Sequence, residues 1–143
     1  MNVVVINGPN LNMLGVREPN IYGKQDYRAL VERVEGYCAE HGIQVEVFQS
    51  NHEGAIVDRI QACLGKAEAI VINSAAYTHT SVAILDALKA VGLPAVEVHL
   101  SDVSAREDFR QRSYAGMACE TTCMGLGIQG YVEAIEYLRK KYA

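Results

Sequence analysis

Long apolar runs and clusters of basic residues are absent from this sequence. Its apolar stretches fall well short of the roughly 20 residues that a membrane-spanning helix needs, so we expect no membrane insertion. The chain has 13 basic and 17 acidic residues and a formal charge of −4. This acidic balance argues against non-specific binding to nucleic acid. The N-terminus also lacks the basic segment and cleavage site of a signal peptide, and we therefore expect a cytoplasmic protein.

Sequence motifs for nucleotides, metals and covalent nucleophiles are missing as well. The first loop contains glycines but neither a GxGxxG nor a GxxxxGK(S/T) pattern, which argues against a nucleotide site. No GxSxG elbow is present, although a serine–histidine pair at the strand ends stays open. The cysteines form no Cys-x-x-Cys motif. A zinc site at Cys119 and Cys123 stays open, but two further ligands are not obvious, and we expect reduced thiols. The four are Cys38, Cys63, Cys119 and Cys123.

Short apolar strands alternate with amphipathic helices along the chain. Its 143 residues suffice for one hydrophobic core, and we expect a single catalytic domain over 1–143. Apolar runs predict strands over 3–6, 44–48, 69–72 and 95–98, with a weaker fifth within 117–124. Periodicity predicts helices over 26–41, from 51 or 52 to 64, over 80–91 and over 127–142, with a short polar helix or turn over 105–112. This alternation indicates a three-layer α/β fold with a flavodoxin-like, doubly wound sheet of five parallel strands.

The apolar positions of the last three helices predict which of their residues face the core. Spacings of three and four place them on one side of each helix. The residues expected inside are Ile56, Ile60 and Leu64, then Val82, Leu85 and Leu88, and finally Val132, Ile135 and Leu138.

Polar segments follow four of the predicted strands. Ligands of doubly wound sheets bind beyond the carboxyl ends of the strands, so four polar strand ends indicate a site. Glu97 and His99 are two residues apart at the end of the fourth strand, and their side chains therefore point to the same side of the sheet. The carboxylate can orient and charge the imidazole, which suits a general acid. Arg17 and Tyr22 share the long loop over 7–24, where the guanidinium favours an ionised phenol.

Six segments carry a resemblance to a known family. They are NGPNLNMLGVREPNIYG, QSNHEG, AYTHTSVAILDAL, VEVHLSD, AREDFRQRSY and GLGIQGYVEAIEYL. In this order and at this spacing they resemble the type II 3-dehydroquinate dehydratases over essentially the whole chain. The resemblance implies a flavodoxin-like fold, no metal or cofactor, and homo-trimers that assemble into dodecamers. It also implies reversible anti elimination of water from 3-dehydroquinate through an enolate, giving 3-dehydroshikimate, a reaction of both shikimate biosynthesis and quinate breakdown.

The resemblance also implies a catalytic role for five residues. Tyr22 matches the base that removes a proton beside the ketone, and Arg17 matches the arginine that activates it. Asn10 matches the asparagine that lies near the enolate through a water molecule. His99 matches the acid that protonates the departing hydroxyl, and Glu97 matches its orienting carboxylate.

A second set of positions matches the residues that bind the substrate. The ring hydroxyls are bound by the residues that correspond to Asn73, His79 and Arg110. The substrate carboxylate is bound by Ser101 and the backbone amides around Leu100. Asp86 matches an aspartate that reaches the site of a neighbouring subunit.

The chain departs from the usual family pattern at a few positions. Ser74 stands where the family usually has proline, and Asp102 stands where it usually has asparagine. We expect Asp102 to cap the polar segment that follows it. Gln111-Arg112 replaces a common histidine pair, and Leu126 replaces a phenylalanine.

Two other functions compete with the dehydratase. One is a related lyase that acts on a different hydroxylated ring acid, with the acid and base retained and the hydroxyl-binding residues altered. The other is a binding protein without activity on the same fold.

Overall fold

The computed structural model describes residues 1–16 and 25–143 and contains a five-stranded sheet whose strand order is β2-β1-β3-β4-β5. Every neighbouring pair of strands is parallel. The strands are β1 (Asn2–Asn7), β2 (Gln44–Gln49), β3 (Ala69–Asn73), β4 (Ala95–His99) and β5 (Thr121–Met124). This order is that of a flavodoxin-like, doubly wound sheet, and it confirms the predicted fold class.

Helices cover both faces of the sheet and give the fold its three layers. They are α1 (Tyr27–Glu40), α2 (Glu53–Gln61), α3 (Val82–Val91) and α4 (Gln129–Tyr142). The buried residues of α1 and α4 share one core cluster with one side of the sheet. Those of α2 and α3 share a second cluster with the other side. The central strands are therefore covered on both faces, which explains their continuous β-branched and aliphatic composition.

The helix starts follow from local capping chemistry. The Asp26 side chain accepts a hydrogen bond from the backbone N–H of Ala29 at the start of α1. The Ser81 side chain accepts one from Ile84 at the start of α3. Each satisfies a backbone donor that the first helical turn leaves without a partner. Helix α2 begins after His52, as the sequence predicted.

Two residues that the periodicity placed in the core are exposed. Leu64 is 62% exposed, because α2 ends at Gln61 and the spacing of four loses its meaning in the turn that follows. Val82 is 49% exposed, because the buried face of α3 runs through Ile84, Leu85 and Leu88 instead. The remaining seven predictions of buried helix residues are confirmed.

The segment between β4 and β5 forms short turns, and the short fifth strand lies within the bounds that the sequence predicted. The polar stretch over 105–112 contributes to two one-turn 3-10 segments, Val103–Ala105 and Asp108–Arg110. A third 3-10 segment, Ala115–Ala118, precedes the fifth strand, which begins at Thr121. Short turns replace regular structure here because the stretch has few apolar residues with which to pack.

Within the two described ranges, no helix has both the length and the apolar character required to cross a membrane.

The exposure of Leu64 yields a test by paired substitutions one helical turn apart. Ile60 is fully buried, so Ile60→Ala should lower the free energy of unfolding by about 2–5 kcal/mol. Leu64→Ala removes an exposed side chain and should change it by less than about 0.5 kcal/mol. Urea denaturation of both variants measures the difference, and equal losses would contradict the observed end of α2.

Candidate active site

A cavity lies at the carboxyl ends of β1, β3 and β4, on the edge of the sheet that the strand-end rule identified. It is bordered by the loop after β1, the turn after β3 and the segment after β4. The residues that line it include seven of the predicted site residues, namely Asn10, Asn73, His79, His99, Leu100, Ser101 and Arg110. The apolar side chains of Leu11 and Leu14 form part of its wall.

Basic and amide side chains dominate the polar lining of this cavity. His79, His99, Arg106 and Arg110 contribute to it. No aspartate or glutamate is among the described residues that line it, although the chain as a whole carries a formal charge of −4. Converging basic groups can dominate a local field even in an acidic protein. The lining therefore favours a small anionic ligand.

Glu97 and His99 form a buried pair beneath the cavity. The Nε2 atom of His99 lies 3.0 Å from Oε2 of Glu97, and the two side chains are 6% and 3% exposed. The contact departs from the alignment of a linear hydrogen bond, and charge attraction adds to it. Because Nε2 faces the carboxylate, Nδ1 is the ring nitrogen available to a ligand. The predicted pairing of these residues across one face of β4 is confirmed.

Three hydroxyl groups surround the carboxylate of Glu97. Thr122 donates to Oε1 at 2.9 Å, Thr78 donates to Oε2 at 3.3 Å, and Ser113 also donates to Oε2. Burial favours the neutral acid, but the hydrogen bonding and charge of His99, together with Ser113 and Thr122, outweigh it. They hold the pKa of the Glu97 carboxyl below its ordinary value. Glu97 is therefore an anion next to His99 at neutral pH.

Gly116 leaves the space that the Glu97 carboxylate occupies. A Cβ atom at this position would lie 2.7 Å from Oε1 of Glu97 and 3.0 Å from Oγ of Ser113. The backbone N–H of Gly116 donates to that same Oγ at 3.0 Å and so orients the serine. The close approach of this backbone to a carboxylate requires glycine here.

A neutral buried network positions Asn73. The Tyr131 hydroxyl accepts from Nδ2 of Asn73 at 3.0 Å and donates to Oδ1 of Asn7 at 2.6 Å. Burial raises the pKa of the Tyr131 phenol well above its ordinary value, so it remains a neutral donor. The Oδ1 atom of Asn73 accepts from the backbone N–H of Ala75 at 3.1 Å. This bond stabilises Ala75 at φ +52°, a left-handed conformation that is unusual for alanine.

Asn10 is held at the mouth of the cavity by the end of β2. It adopts the left-handed conformation at φ +70°, which asparagine tolerates better than most residues. Its backbone N–H donates to Oδ1 of Asn51 at 3.0 Å. The Gln49 amide donates to the same oxygen at 3.1 Å and to the Gly8 carbonyl at 3.1 Å. Amide groups from β2 thus position the loop that follows β1.

The remaining lining residues are oriented by the loops around β5. His79 Nδ1 lies 2.7 Å from the backbone carbonyl of Arg112. A backbone carbonyl can only accept a hydrogen bond, so Nδ1 of His79 carries the proton. The other ring nitrogen, Nε2, takes no part in this contact. The carbonyl groups of His99 and Leu100 accept from the backbone N–H groups of Gly125 and Gly127 at 3.3 and 2.9 Å. These bonds position the turn that contains Ser101.

Known proteins of one family match this chain over nearly its whole length. The model of the family described as "Dehydroquinase class II" matches residues 1–139. The chain belongs to this family. It is 50% identical over 141 residues to a 3-dehydroquinate dehydratase of Thermotoga maritima, covering 99% of this chain and 96% of that protein. It is 51% identical over 137 residues to a catabolic 3-dehydroquinase of Emericella nidulans, covering 96% of this chain and 90% of that protein.

A solved structure of the same family has the same fold. The crystal structure of type II dehydroquinase from Butyrivibrio crossotus superposes on this chain with a TM-score of 0.96. It is 49% identical in sequence, and the match covers 97% of each chain. The resemblance to the type II family that the six segments indicated is therefore confirmed.

Four of the predicted site residues are not among the described residues that line the cavity. Glu97 lies beneath it, paired with His99. Arg17 and Tyr22 lie outside the described residues. Asp86 is exposed on α3, and the structure does not bring it to the cavity of its own chain.

The two main departures from the dehydroquinase pattern leave the cavity lining unchanged. Asp102 caps the segment after it, as expected, by accepting from the backbone N–H and the hydroxyl of Ser104 at 3.0 and 2.5 Å. Ser74 is fully buried, and its hydroxyl contacts that of Thr78 at 2.6 Å. Neither is among the lining residues. The added negative charge therefore does not enter the site.

Sequence reasoning missed the residues that support the Glu97–His99 pair. Thr78, Ser113, Gly116 and Thr122 were not singled out, although all contact or face Glu97. Thr78 and Ser113 do fall inside segments that resemble the family, which was the only signal available. Among residues 1–16 and 25–143, no group of three or more metal-ligating side chains comes together.

Gly116→Ala tests the steric requirement next to Glu97. The new Cβ would displace the carboxylate or Ser113, and we expect the free energy of unfolding to fall by about 1–3 kcal/mol. Gly54→Ala is the matched control, because a Cβ at that helical position meets no atom within 4 Å. The control should be neutral or more stable by about 0.4–1 kcal/mol. Chemical denaturation compares the two, and an unchanged Gly116→Ala protein would contradict the close approach.

Proposed function

We propose that this chain is a type II 3-dehydroquinate dehydratase, a hydro-lyase that converts 3-dehydroquinate to 3-dehydroshikimate and water as one catalytic unit over 1–143. The observation that carries the proposal is the buried Glu97–His99 pair beneath a cavity lined by basic and amide side chains. Family membership and the names of relatives about half identical support it. The cavity suits a small carboxylate with several hydroxyl groups.

The first step is removal of a proton from the carbon beside the ketone. Such a proton is acidic because the resulting charge spreads onto the ketone oxygen, so a weak base suffices if the enolate is stabilised. We assign the base to Tyr22, with Arg17 favouring its ionised form, as the family resemblance implies. Asn10 stabilises the enolate oxygen through a water molecule. The loop geometry at Asn10 supports this role, since the side chain of Asn51, two residues after β2, holds its backbone at the cavity mouth.

The second step is departure of the tertiary hydroxyl, which leaves readily only as water. His99 supplies the proton, the carbon–oxygen bond breaks, and the enolate electrons form the new double bond. The anionic Glu97 orients the imidazole before this step and attracts its positive charge. The ketone re-forms in conjugation with the new double bond, and no metal or cofactor enters the sequence.

The substrate ring is held by polar groups on three sides of the cavity. Asn73, His79 and Arg110 bind its hydroxyl groups, and Ser101 with the backbone amide at Leu100 binds its carboxylate. The Arg110 guanidinium is oriented by an ion pair with Glu107. Residues whose own partners fix them in place lose little freedom when a ligand binds.

The assembly and location of the enzyme are part of the same proposal. Asp86 is exposed on α3 and therefore accessible to a neighbouring subunit, which supports a homo-oligomer built of trimers, and a dodecamer by resemblance. All four cysteines are free thiols, which fits the reducing conditions of the cytoplasm.

Ultraviolet absorbance with 3-dehydroquinate tests the proposed activity. The product is a conjugated enone, which absorbs where the substrate does not. We expect a rise in absorbance from the purified protein with a chelator present and no metal added. Tyr22→Phe keeps the ring but removes the base, and its rate should fall by about 10²–10⁴-fold.

A flat trace from folded wild-type protein would contradict the dehydratase assignment and favour a lyase of another ring acid or a binding protein. A titration of 3-dehydroquinate and a panel of hydroxylated ring acids would then separate those two. Near-full activity of Tyr22→Phe would overturn only the assignment of the base.

His99→Ala separates the two chemical steps. Without the acid, proton removal continues while the hydroxyl stays bound, so we expect the product rate to fall by about 10²–10⁴-fold. In deuterated water the recovered substrate should gain deuterium beside the ketone, as measured by mass spectrometry. If both exchange and product formation match the wild type, His99 is not the acid.

A further inference from the structure

A chain of buried hydroxyl groups leads from Ser74 to the catalytic pair. Oγ of Ser74 lies 2.6 Å from Oγ1 of Thr78, which in turn lies 3.3 Å from Oε2 of Glu97. The same carboxylate oxygen faces Nε2 of His99 at 3.0 Å. Ser74 and Thr78 are fully buried, and Ser74 belongs to the turn after β3, while Glu97 belongs to β4.

The direction of these hydrogen bonds follows from the groups themselves. An ionised carboxylate only accepts, so Thr78 donates its single hydroxyl proton to Glu97. Thr78 then has no proton left for Ser74, and Ser74 must be the donor in the 2.6 Å contact. A hydroxyl that accepts a hydrogen bond becomes a stronger donor, because each bond polarises the next. Ser74 thereby strengthens the bond from Thr78 to the carboxylate.

We propose that Ser74 is a positioning residue of the catalytic pair, which acts through Thr78 to hold Glu97 ionised and directed at His99. The inference rests on the proposed function, in which His99 is the acid. According to this inference, the turn after β3 contributes to the proton transfer that His99 of β4 carries out. Ser74 touches neither the cavity nor the reacting atoms, so its effect reaches them only through Thr78 and Glu97.

The alternative role for Ser74 is purely local packing, and pH separates the two. The titratable groups that face Glu97 among the described residues are His99 and Cys119. Burial and then the Glu97 charge raise the pKa of the Cys119 thiol to about 12, so this group stays neutral throughout an acidic titration. Protonation of the proposed base Tyr22 also contributes to the acidic limb of kcat/KM, but that residue is the same in every variant, so differences between variants report on the Glu97–His99 pair.

The pH dependence of kcat/KM should shift in Ser74→Ala. Loss of the hydroxyl that donates to Thr78 makes the Glu97 carboxylate easier to protonate. We therefore expect the acidic limb of the kcat/KM profile to move to higher pH by about 0.2–0.5 units. Thr78→Val removes the direct donor and should move it by about 1 unit. If Ser74 acts through Thr78, adding Ser74→Ala to Thr78→Val produces no further shift.

Ser113→Ala is the matched control for this cycle. Ser113 donates to the same Glu97 oxygen from a different segment and has no contact with Ser74 in the hydrogen-bond network. The Ser74→Ala shift should therefore persist in the Ser113→Ala background. A Ser74→Ala shift that is equally large with and without Thr78 would overturn the proposal.

Unfolding measured from pH 3 to pH 7 tests the same chain without any activity. The folded pKa of Glu97 is depressed, so its contribution to stability is present above the unfolded pKa near ~4.3 and is lost as pH falls through the folded value. The decrease in unfolding free energy caused by Ser74→Ala should accordingly be largest near neutral pH and become smaller as the pH falls. Ser74→Pro, which suits the observed φ of −78°, repeats the test if the alanine variant unfolds.

The two hypotheses fail in different ways. A wild-type protein that turns over no 3-dehydroquinate overturns the proposed function, whereas a shrinking stability difference would still support the link from Ser74 to Glu97. A stability difference that is the same at every pH would assign Ser74 to packing alone and overturn the inference.

Discussion

The burial of one carboxylate in the fourth strand is the constraint on which the site depends. An isolated charge is costly away from water unless it is paired and hydrogen-bonded. Glu97 is 2% exposed, and its oxygens are satisfied by His99 and by hydroxyl groups from three other segments of the chain. Those segments are the turn after β3, the loop before β5 and β5 itself. Because the carboxylate needs all of them, it ties the carboxyl-terminal edge of the sheet together around the imidazole.

A second buried polar cluster on the same edge of the sheet consists of the neutral side chains of Asn7, Asn73 and Tyr131. Asn7 and Asn73 end neighbouring strands and would each leave amide atoms without partners in the core. The Tyr131 hydroxyl donates to one and accepts from the other, so no charge is required. In the proposed function, the charged cluster around Glu97 orients His99, which transfers a proton, whereas the neutral cluster holds Asn73, which binds the substrate. Their separation lets one fold position both kinds of group within a single cavity.

The departures from the family pattern act through their immediate surroundings. The Asp102 carboxylate is occupied by the backbone and hydroxyl of Ser104. The Gln111 amide nitrogen lies 3.2–3.4 Å from four backbone carbonyls of residues 103–107, in the segment that contributes Arg106 to the cavity. Ser74 joins the hydroxyl chain behind Glu97. Asp102, Gln111 and Ser74 are not themselves among the described residues that line the cavity, which present basic, amide and hydroxyl groups.

The strands, the helices and the edge of the sheet that contains the site follow from the sequence by itself. These features depend on local periodicity and on the parallel connection rule, and so does the pairing of Glu97 with His99, which needs only the two-residue repeat of a strand. The hydroxyl groups around Glu97 were decided by the tertiary structure, because Thr78, Ser113 and Thr122 are 19, 16 and 25 residues away along the chain. Leu64 and Val82, which were predicted to be buried and are exposed, show the same limit. Helical periodicity predicts which side of a helix faces the core but not where along the helix the packing ends. The local sequence pattern determines each helix and strand. The hydrogen bonds that a buried charge receives are determined only when elements distant in sequence pack together.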